Sequence, residues 1–418
     1  MRLVILLLLL PLSIVAQQKK IKEIDIINAH KMDEAFMVKI IKTKVGDMLD
    51  STKLSDDVIF LTRLNGILKI DSKIVSLDST FCKIVLDITE NFTTIPILNL
   101  GTTDFVGFYR IGLQEYNLNG KNNTLGGFYQ YNEFHSFGIN YSSPFLFSNK
   151  LGIESNLQSL SSREPVFIRN TKSNYRYTNN SFEVLGRYQV DFNNSLKFGV
   201  TFFKEEYKYL DGATDPSVPQ FLDIQKLLYK LEYQFNNLRY NYFLLSGFTS
   251  NLYLQYVTSE NKFQSKFLIG WNDFNFYKIV SKNGNFATRF RVGLSSNSNS
   301  PFAPFAVDNN LNIRGVGNLI DRGTGTLVLN TEYRHVLYQK NKFVLQSNLF
   351  VDAGSFRSPG GGFSDFYNKE NLKLYPGVGL RFIHKTIFNA IFRIDFGYGI
   401  INNSKRNSGI VFGIGQYF

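Results

Sequence analysis

Few residues in this chain are spaced for chemistry. The four histidines, His30, His135, His335 and His384, are dispersed and give no metal-ligand spacing. The single cysteine, Cys82, makes no intrachain disulfide and reads as a small buried residue. No local serine–histidine–aspartate signature occurs. The stretch SPGGGF at Ser358–Phe363 is glycine-rich like a phosphate loop, but it lacks the lysine and the following helix that such a loop needs. It reads as a surface loop. The expectation is a protein with no catalytic residues, no metal and no cofactor, and hence not an enzyme.

One stretch does raise a chemical question. NNLNIRGVGNLIDRGTG, Asn309–Gly325, has no hydrophobic alternation and reads as a long loop. Its tip holds Arg314 between Ile313 and Gly315, with Val316 and Gly317 following. A guanidinium stays charged and pairs bidentately with a carboxylate, and the glycines allow a close approach to a wall. The plain alternative is a solvated loop arginine. Deciding between them requires knowing what lies opposite.

The surrounding elements supply candidates. From about residue 92 the chain alternates apolar and polar residues, with turn clusters roughly every 20 residues, and about sixteen strands fit between Thr94 and Phe418. In TLVLNTEYRHVL, Leu327, Leu329, Tyr333 and Leu337 oppose Asn330, Glu332 and Arg334. In FVLQSNLFVDAG, Leu345, Leu349, Val351 and Ala353 oppose Gln346, Asn348, Asp352 and Gly354. In FNAIFRIDFGYG, Phe388, Phe392, Ile394, Phe396 and Tyr398 oppose Asn389, Arg393, Asp395 and Gly397. The greasy faces are rich in Phe and Tyr over about 9–12 residues, and the opposite faces carry charges in mid-strand, as tilted strands with one face in lipid and one in a polar lumen would.

Composition agrees. The 418 residues include 40 Phe and 23 Tyr against one Trp, while the mean hydropathy is only −0.12. After Ala16 no run of about 18 apolar residues offers a membrane-spanning helix. Lipid contact therefore has to come from strands, and a barrel closes every sheet edge. The net charge of +12 is scattered, which suits a surface or lumen facing anionic headgroups and argues against nucleic acid.

The first part has another texture. Residues 1–16 combine a basic start, the apolar run Leu3–Leu10 and a small residue at Ala16, as a secretory signal peptide does. Residues 17–91 then read as β-α-α-β-β. A strand containing Ile21–Ile26 precedes a helix capped by Asp33 with Phe36, Met37, Ile40 and Ile41 on one face. A second helix carries Leu54, Val58, Leu61 and Leu64 and is expected to end at Gly66. The strands Lys69–Leu77 and Phe81–Glu90 follow. The expected architecture is mainly β: a signal peptide (1–16), a small periplasmic domain (17–91) and an antiparallel transmembrane barrel of about 16 strands (92–418).

In order, several segments resemble the BamA/TamA/FhaC superfamily of outer-membrane assembly and secretion barrels, whose periplasmic modules are called POTRA domains. NGILKIDSKIVSLDSTFCKIVLDITEN, with Glu90, resembles a POTRA exit. EYNLNGKNN and NYSSPFLFSNKLG resemble early turns near Asn117–Gly120 and Pro144. NIRGVG resembles the arginine–glycine motif of the sixth extracellular loop, NTEYR and FVDAG the strand motifs after it, and FGIGQYF the closing strand. The chain departs from those relatives in having room for one POTRA-like domain only. The resemblance implies that the loop folds back into the barrel and that Arg314 meets Asp352, with Glu332 as second candidate, in a lumen expected to be wet.

The resemblance also draws attention to the seam between first and last barrel strands. TTIPILNLG contains Pro96, which cannot donate a ladder hydrogen bond, and SGIVFGIGQYF contains Gly409, Gly413 and Gly415, with Ile410, Phe412, Ile414 and Phe418 reading as its outward face. These features suit a weak seam that opens laterally; alternatively, the glycines relieve crowding in a curved wall. The resemblance implies an outer-membrane protein that helps to insert or export β-rich client proteins by strand augmentation. Lipids, an outer-membrane lipoprotein or a second copy are expected neighbours. A passive porin-like channel and a non-inserting scaffold subunit are the alternatives.

Overall fold

A computed structural model describes residues 19–103, 106–168, 171–261, 264–299, 304–307, 312–316, 321–387, 390–401 and 408–418. The expected signal peptide lies outside the described residues, as do Phe388 and Asn389.

The N-terminal domain runs β1 (Lys20–Ile27), α1 (Glu34–Ile40), α2 (Ser51–Leu61), β2 (Ile67–Ser76), β3 (Phe81–Glu90). β3 lies in the middle of the sheet, parallel to β1 and antiparallel to β2. Alternation in β3 buries Cys82, Ile84, Leu86 and Ile88 against Met37, Leu54 and Leu61 of the helices. The Asp33 carboxylate accepts from Phe36 N at the start of α1, and Asp50 does the same for Thr52 and Lys53 at α2. The second helix stops at Leu61 rather than continuing to Gly66, although Leu64 still packs in the core. Glu90 acts as a structural tie. Its carboxylate accepts from the backbone N–H groups of His30, Lys31 and Met32, fastening the end of β3 to the turn before α1.

The rest forms one closed sheet. Its strands are β4 (Thr94–Thr103), β5 (Val106–Leu118), β6 (Asn123–Tyr131), β7 (His135–Ser143), β8 (Leu151–Ile168), β9 (Thr171–Gln189), β10 (Asn194–Gly212), β11 (Phe221–Asn236), β12 (Arg239–Asn241), β13 (Leu244–Asn261), β14 (Gln264–Ile279) and β15 (Gly284–Ser295). After the short antiparallel pair β16 (Phe305–Val307) and β17 (Asp321–Gly323) come β18 (Gly325–Lys340), β19 (Phe343–Arg357), β20 (Lys373–His384), β21 (Ile391–Tyr398) and β22 (Ser408–Ile414). β12 continues β11 along β13, so the wall has 16 staves, and β22 closes onto β4. Outward positions are apolar and exposed, for example Ile111, Phe198, Leu268, Leu349 and Phe392. Inward positions include buried Asn, Arg, Glu and Asp. That distribution inverts a soluble protein and fits a wall standing in hydrocarbon. No helix among the described residues is long and apolar enough to cross a membrane.

The N-terminal domain sits on the near-side turns from β5–β6 to β11–β12. Asp33 N donates to Gly120 O (3.1 Å), Phe36 packs on Phe145 (5.6 Å), and Phe60 stacks on Phe192 with ring centroids 4.1 Å apart. Arg63, just past α2, donates to Phe192 O, Asn193 Oδ1, Asn236 O and Leu238 O at 2.6–3.2 Å. Hydrogen bonds from a charged donor contribute about 1.5–3 kcal/mol each, and rehydration of the exposed carbonyls recovers part of that. Arg63→Ala is therefore expected to weaken docking by about 2 kcal/mol, roughly thirtyfold in the undocked population. Spin labels at Lys39 and Phe198 should give one narrow distance in the native protein and a broadened one in the variant. An unchanged narrow distance would show that the aromatic stacking suffices.

Candidate functional site

The connection between β15 and β18 spans residues 296–324, and its described tip, Asn312–Val316, is buried inside the barrel. Two features of the wall admit it. Gly354 leaves a hollow: a Cβ there would lie 2.5 Å from Ile313 Cδ1. Gly397 on β21, paired with Gly409 on β22, leaves a flat spot where the backbone of Gly315 rests at φ +92°. A Cβ on Gly397 would lie 2.3 Å from Arg314 O. Ile313 and Val316 then pack with Phe356 and Tyr375.

Arg314 emerges from this tip into a band of charge on four adjacent strands. Its backbone N and Nε both donate to Asp352 Oδ2 (2.9 and 2.8 Å), and Nη2 donates to Asp352 Oδ1 (2.9 Å). Nη1 donates to Glu332 Oε2 at 2.5 Å and lies 3.8 Å from Asp395 Oδ1. Both acids expected as partners therefore hold the arginine together, Asp352 through the bidentate fork and Glu332 through the remaining nitrogen. The guanidinium carbon is 3.7 Å from the Phe350 ring and 4.4 Å from the Tyr417 ring. The side chains of Arg314, Glu332 and Asp352 are each fully buried, so this point is closed to bulk solvent, unlike the wet lumen expected.

A second tier of cations balances the acids. Arg334 Nε binds Glu332 Oε1, Arg381 Nη1 donates to Asp395 Oδ1 (2.7 Å), and Arg393 Nη1 to Asp395 Oδ2 (3.2 Å). Asn348 Nδ2 lies 3.3 Å from both Glu332 and Asp395. Strand register enforces the grouping: Asn330 faces Asp352, Glu332 faces Phe350 and Arg334 faces Asn348 across β18–β19, while Arg381 faces Arg393 across β20–β21. Deeper in the loop, Asn330 Nδ2 donates to Asn312 O (2.7 Å) and Arg291 Nη1 to Asn312 Oδ1 (3.2 Å).

Alternation alone puts Arg334, Arg393 and Asp395 on the polar face, but not as members of one cluster with Arg314. It misses Arg381, Phe350 and Tyr417. Phe350 is an aromatic in an inward position, and only the lateral register brings Arg381 alongside Asp395.

The seam residues sit differently from the sequence expectation in one respect. Ile410 and Phe412 do face outward, at 56% and 57% exposure. Phe418 does not. Gly415, at φ +88°, turns the chain, and Tyr417 and Phe418 lie in the lumen. Arg334 Nη2 donates to Phe418 O (3.2 Å), and the Phe418 ring is 5.5 Å from Arg289 and 5.6 Å from Arg334. Gly409 and Gly413 face inward: a Cβ on the first would lie 3.1 Å from Gly315 O, and on the second 2.7 Å from Arg393 Nε. These two glycines make room for lumenal groups. Pro96, on β4, is exposed and stands opposite Leu113 of β5. Among the described residues no group of three or more His, Cys, Asp or Glu side chains could hold a metal ion.

No protein-family model matches the sequence, and no curated protein matches it. Solved structures do share its fold. BamA from Haemophilus ducreyi lacking POTRA domains 1–3 is 14% identical, with 94% of this chain and 84% of that one covered at a TM-score of 0.56. CdiB from Acinetobacter baumannii is 14% identical over 95% of this chain and 74% of that one, TM-score 0.60. CdiB from Escherichia coli is 10% identical over 95% and 75%, TM-score 0.62. The chain thus has the barrel-plus-N-terminal-domain fold that BamA and CdiB have.

Proposed function

We propose that this chain is an outer-membrane barrel that inserts or exports other β-rich proteins, with its N-terminal domain in the periplasm and the β22–β4 seam as the working edge. The observation that carries this reading is the combination of a loop tip anchored inside the barrel and a short closing strand. The lumen is occupied by the Arg314 loop and, nearer the N-terminal domain, by Tyr417 and Phe418. The seam strand β22 has 7 residues, whereas β8, β9 and β10 have 18 or 19. Pro96 removes one more donor from β4. A substrate has less to disrupt by parting β22 from β4 than by displacing the buried charge cluster, and an opened edge offers backbone groups to which a client strand adds by augmentation. The fold shared with BamA and CdiB supports the same reading, and the loop tip anchored inside the barrel favours it over a passive pore.

The test is depletion. Loss of the protein from its host should lower the outer-membrane abundance of a defined set of β-barrel or secreted proteins, restored by the native chain. An unchanged outer-membrane proteome, with small-solute uptake altered instead, would replace this reading with a channel.

A further inference from the structure

We infer that Tyr417 is a positioning residue that couples the Arg314 loop to the seam strand, so that the loop and the seam loosen together; this rests on the lateral-opening reading above. β22 touches the loop at two separate places. At one, the backbone of Gly315 lies on Gly409, close enough that a Cβ there would be 3.1 Å from Gly315 O. At the other, the chain turns inward at Gly415 and brings the Tyr417 ring to 4.4 Å from the Arg314 guanidinium carbon, 4.9 Å from Arg393 and 5.6 Å from Arg289. One ring on the continuation of the seam strand is thus shared by the loop cation and by cations of β21 and β15.

This geometry makes the seam strand part of the loop's seat. If β22 also swings away from β21 as it parts from β4, Tyr417 leaves Arg314 and Gly409 leaves Gly315. If Arg314 withdraws, the ring loses the loop cation and β22 loses its inner support. Interactions between a desolvated cation and an aromatic face are strong enough to bias such an equilibrium by about tenfold or more. The contact needs the π face rather than bulk, which separates coupling from simple space filling.

Two readouts on the folded barrel test it, in a Cys82→Ala background: the rate of protease cleavage between residues 309 and 325, and the distance between spin labels at Ile111 on β5 and Phe396 on β21, which flank the seam. Tyr417→Leu should accelerate cleavage about tenfold or more and broaden the label distance toward longer values. Tyr417→Phe, which keeps the ring, should stay near the native protein in both. Gly409→Val, which pushes Gly315 off β22 and suits a strand, should move both readouts in the direction of Tyr417→Leu. Cleavage unchanged in Tyr417→Leu, or faster cleavage with an undisturbed seam distance in both variants, overturns the coupling. Neither readout depends on client insertion, so failure here is distinct from failure of the proposed function.

Discussion

Replacing Arg314 by alanine should release the loop from the barrel wall at a cost of about 3–5 kcal/mol, the range for breaking a buried ion pair by removing one partner. In a wet lumen the figure would fall toward the ~1 kcal/mol of a surface pair. Complete burial of Arg314, Glu332 and Asp352 puts it at the high end. The expected readout is new protease cleavage between residues 309 and 325, faster by roughly a hundredfold to a few thousandfold.

The two acids should differ. Asp352 accepts three hydrogen bonds from Arg314, whereas Glu332 accepts one and keeps Arg334 when Arg314 is gone. Arg314→Ala therefore strands Asp352 more than Glu332. Asp352→Ala should be comparably severe, and the double variant should cost much less than the sum, with a coupling of about 1–3 kcal/mol. Arg314→Lys keeps the charge but loses the planar fork that reaches Asp352 and Glu332 at once, so it should restore loop protection only in part. Strict additivity of Arg314→Ala and Asp352→Ala would rule out the pairing.

Much of this site was legible because period-2 alternation is a strong signal where one face meets lipid. It sorts Asn330, Glu332 and Arg334, and likewise Asn348 and Asp352, onto the lumenal side with no knowledge of the fold. Alternation is silent on which strands are neighbours and on stagger. For that reason Asp352 and Glu332 stood only as the first and second candidates that the resemblance implied, when register places both around one guanidinium. It was also silent on burial, since a polar lumenal face reads alike whether filled by water or by a folded loop. The glycines were ambiguous for a similar reason. Gly409 read either as a weak point in its strand or as relief of crowding, and Gly354 and Gly397 only as polar-face positions, but each lies under a specific loop atom. Phe418 was assigned outward by extending the alternation of Ile410 and Phe412 through Gly415, where a single positive φ breaks the pattern. In the N-terminal domain Asp33 was legible as a cap because cap chemistry is local, whereas the role of Glu90, 58 residues or more from the N–H groups it binds, depends on the tertiary fold.

If the barrel works by parting β22 from β4, a covalent lock across that seam should silence it. In a Cys82→Ala background, one cysteine between Thr94 and Leu98 and one between Gly409 and Ile414 would be screened for a pair that oxidises in the folded barrel, since a disulfide needs Cα atoms within about 7 Å. A control pair at Phe290 and Leu329, opposite one another on β15 and β18, locks a wall position away from the seam. Oxidised seam-locked protein should remain folded and fail to restore a depleted strain, reduction should restore it, and the control lock should leave function intact. Full rescue by the oxidised, seam-locked barrel would contradict lateral opening.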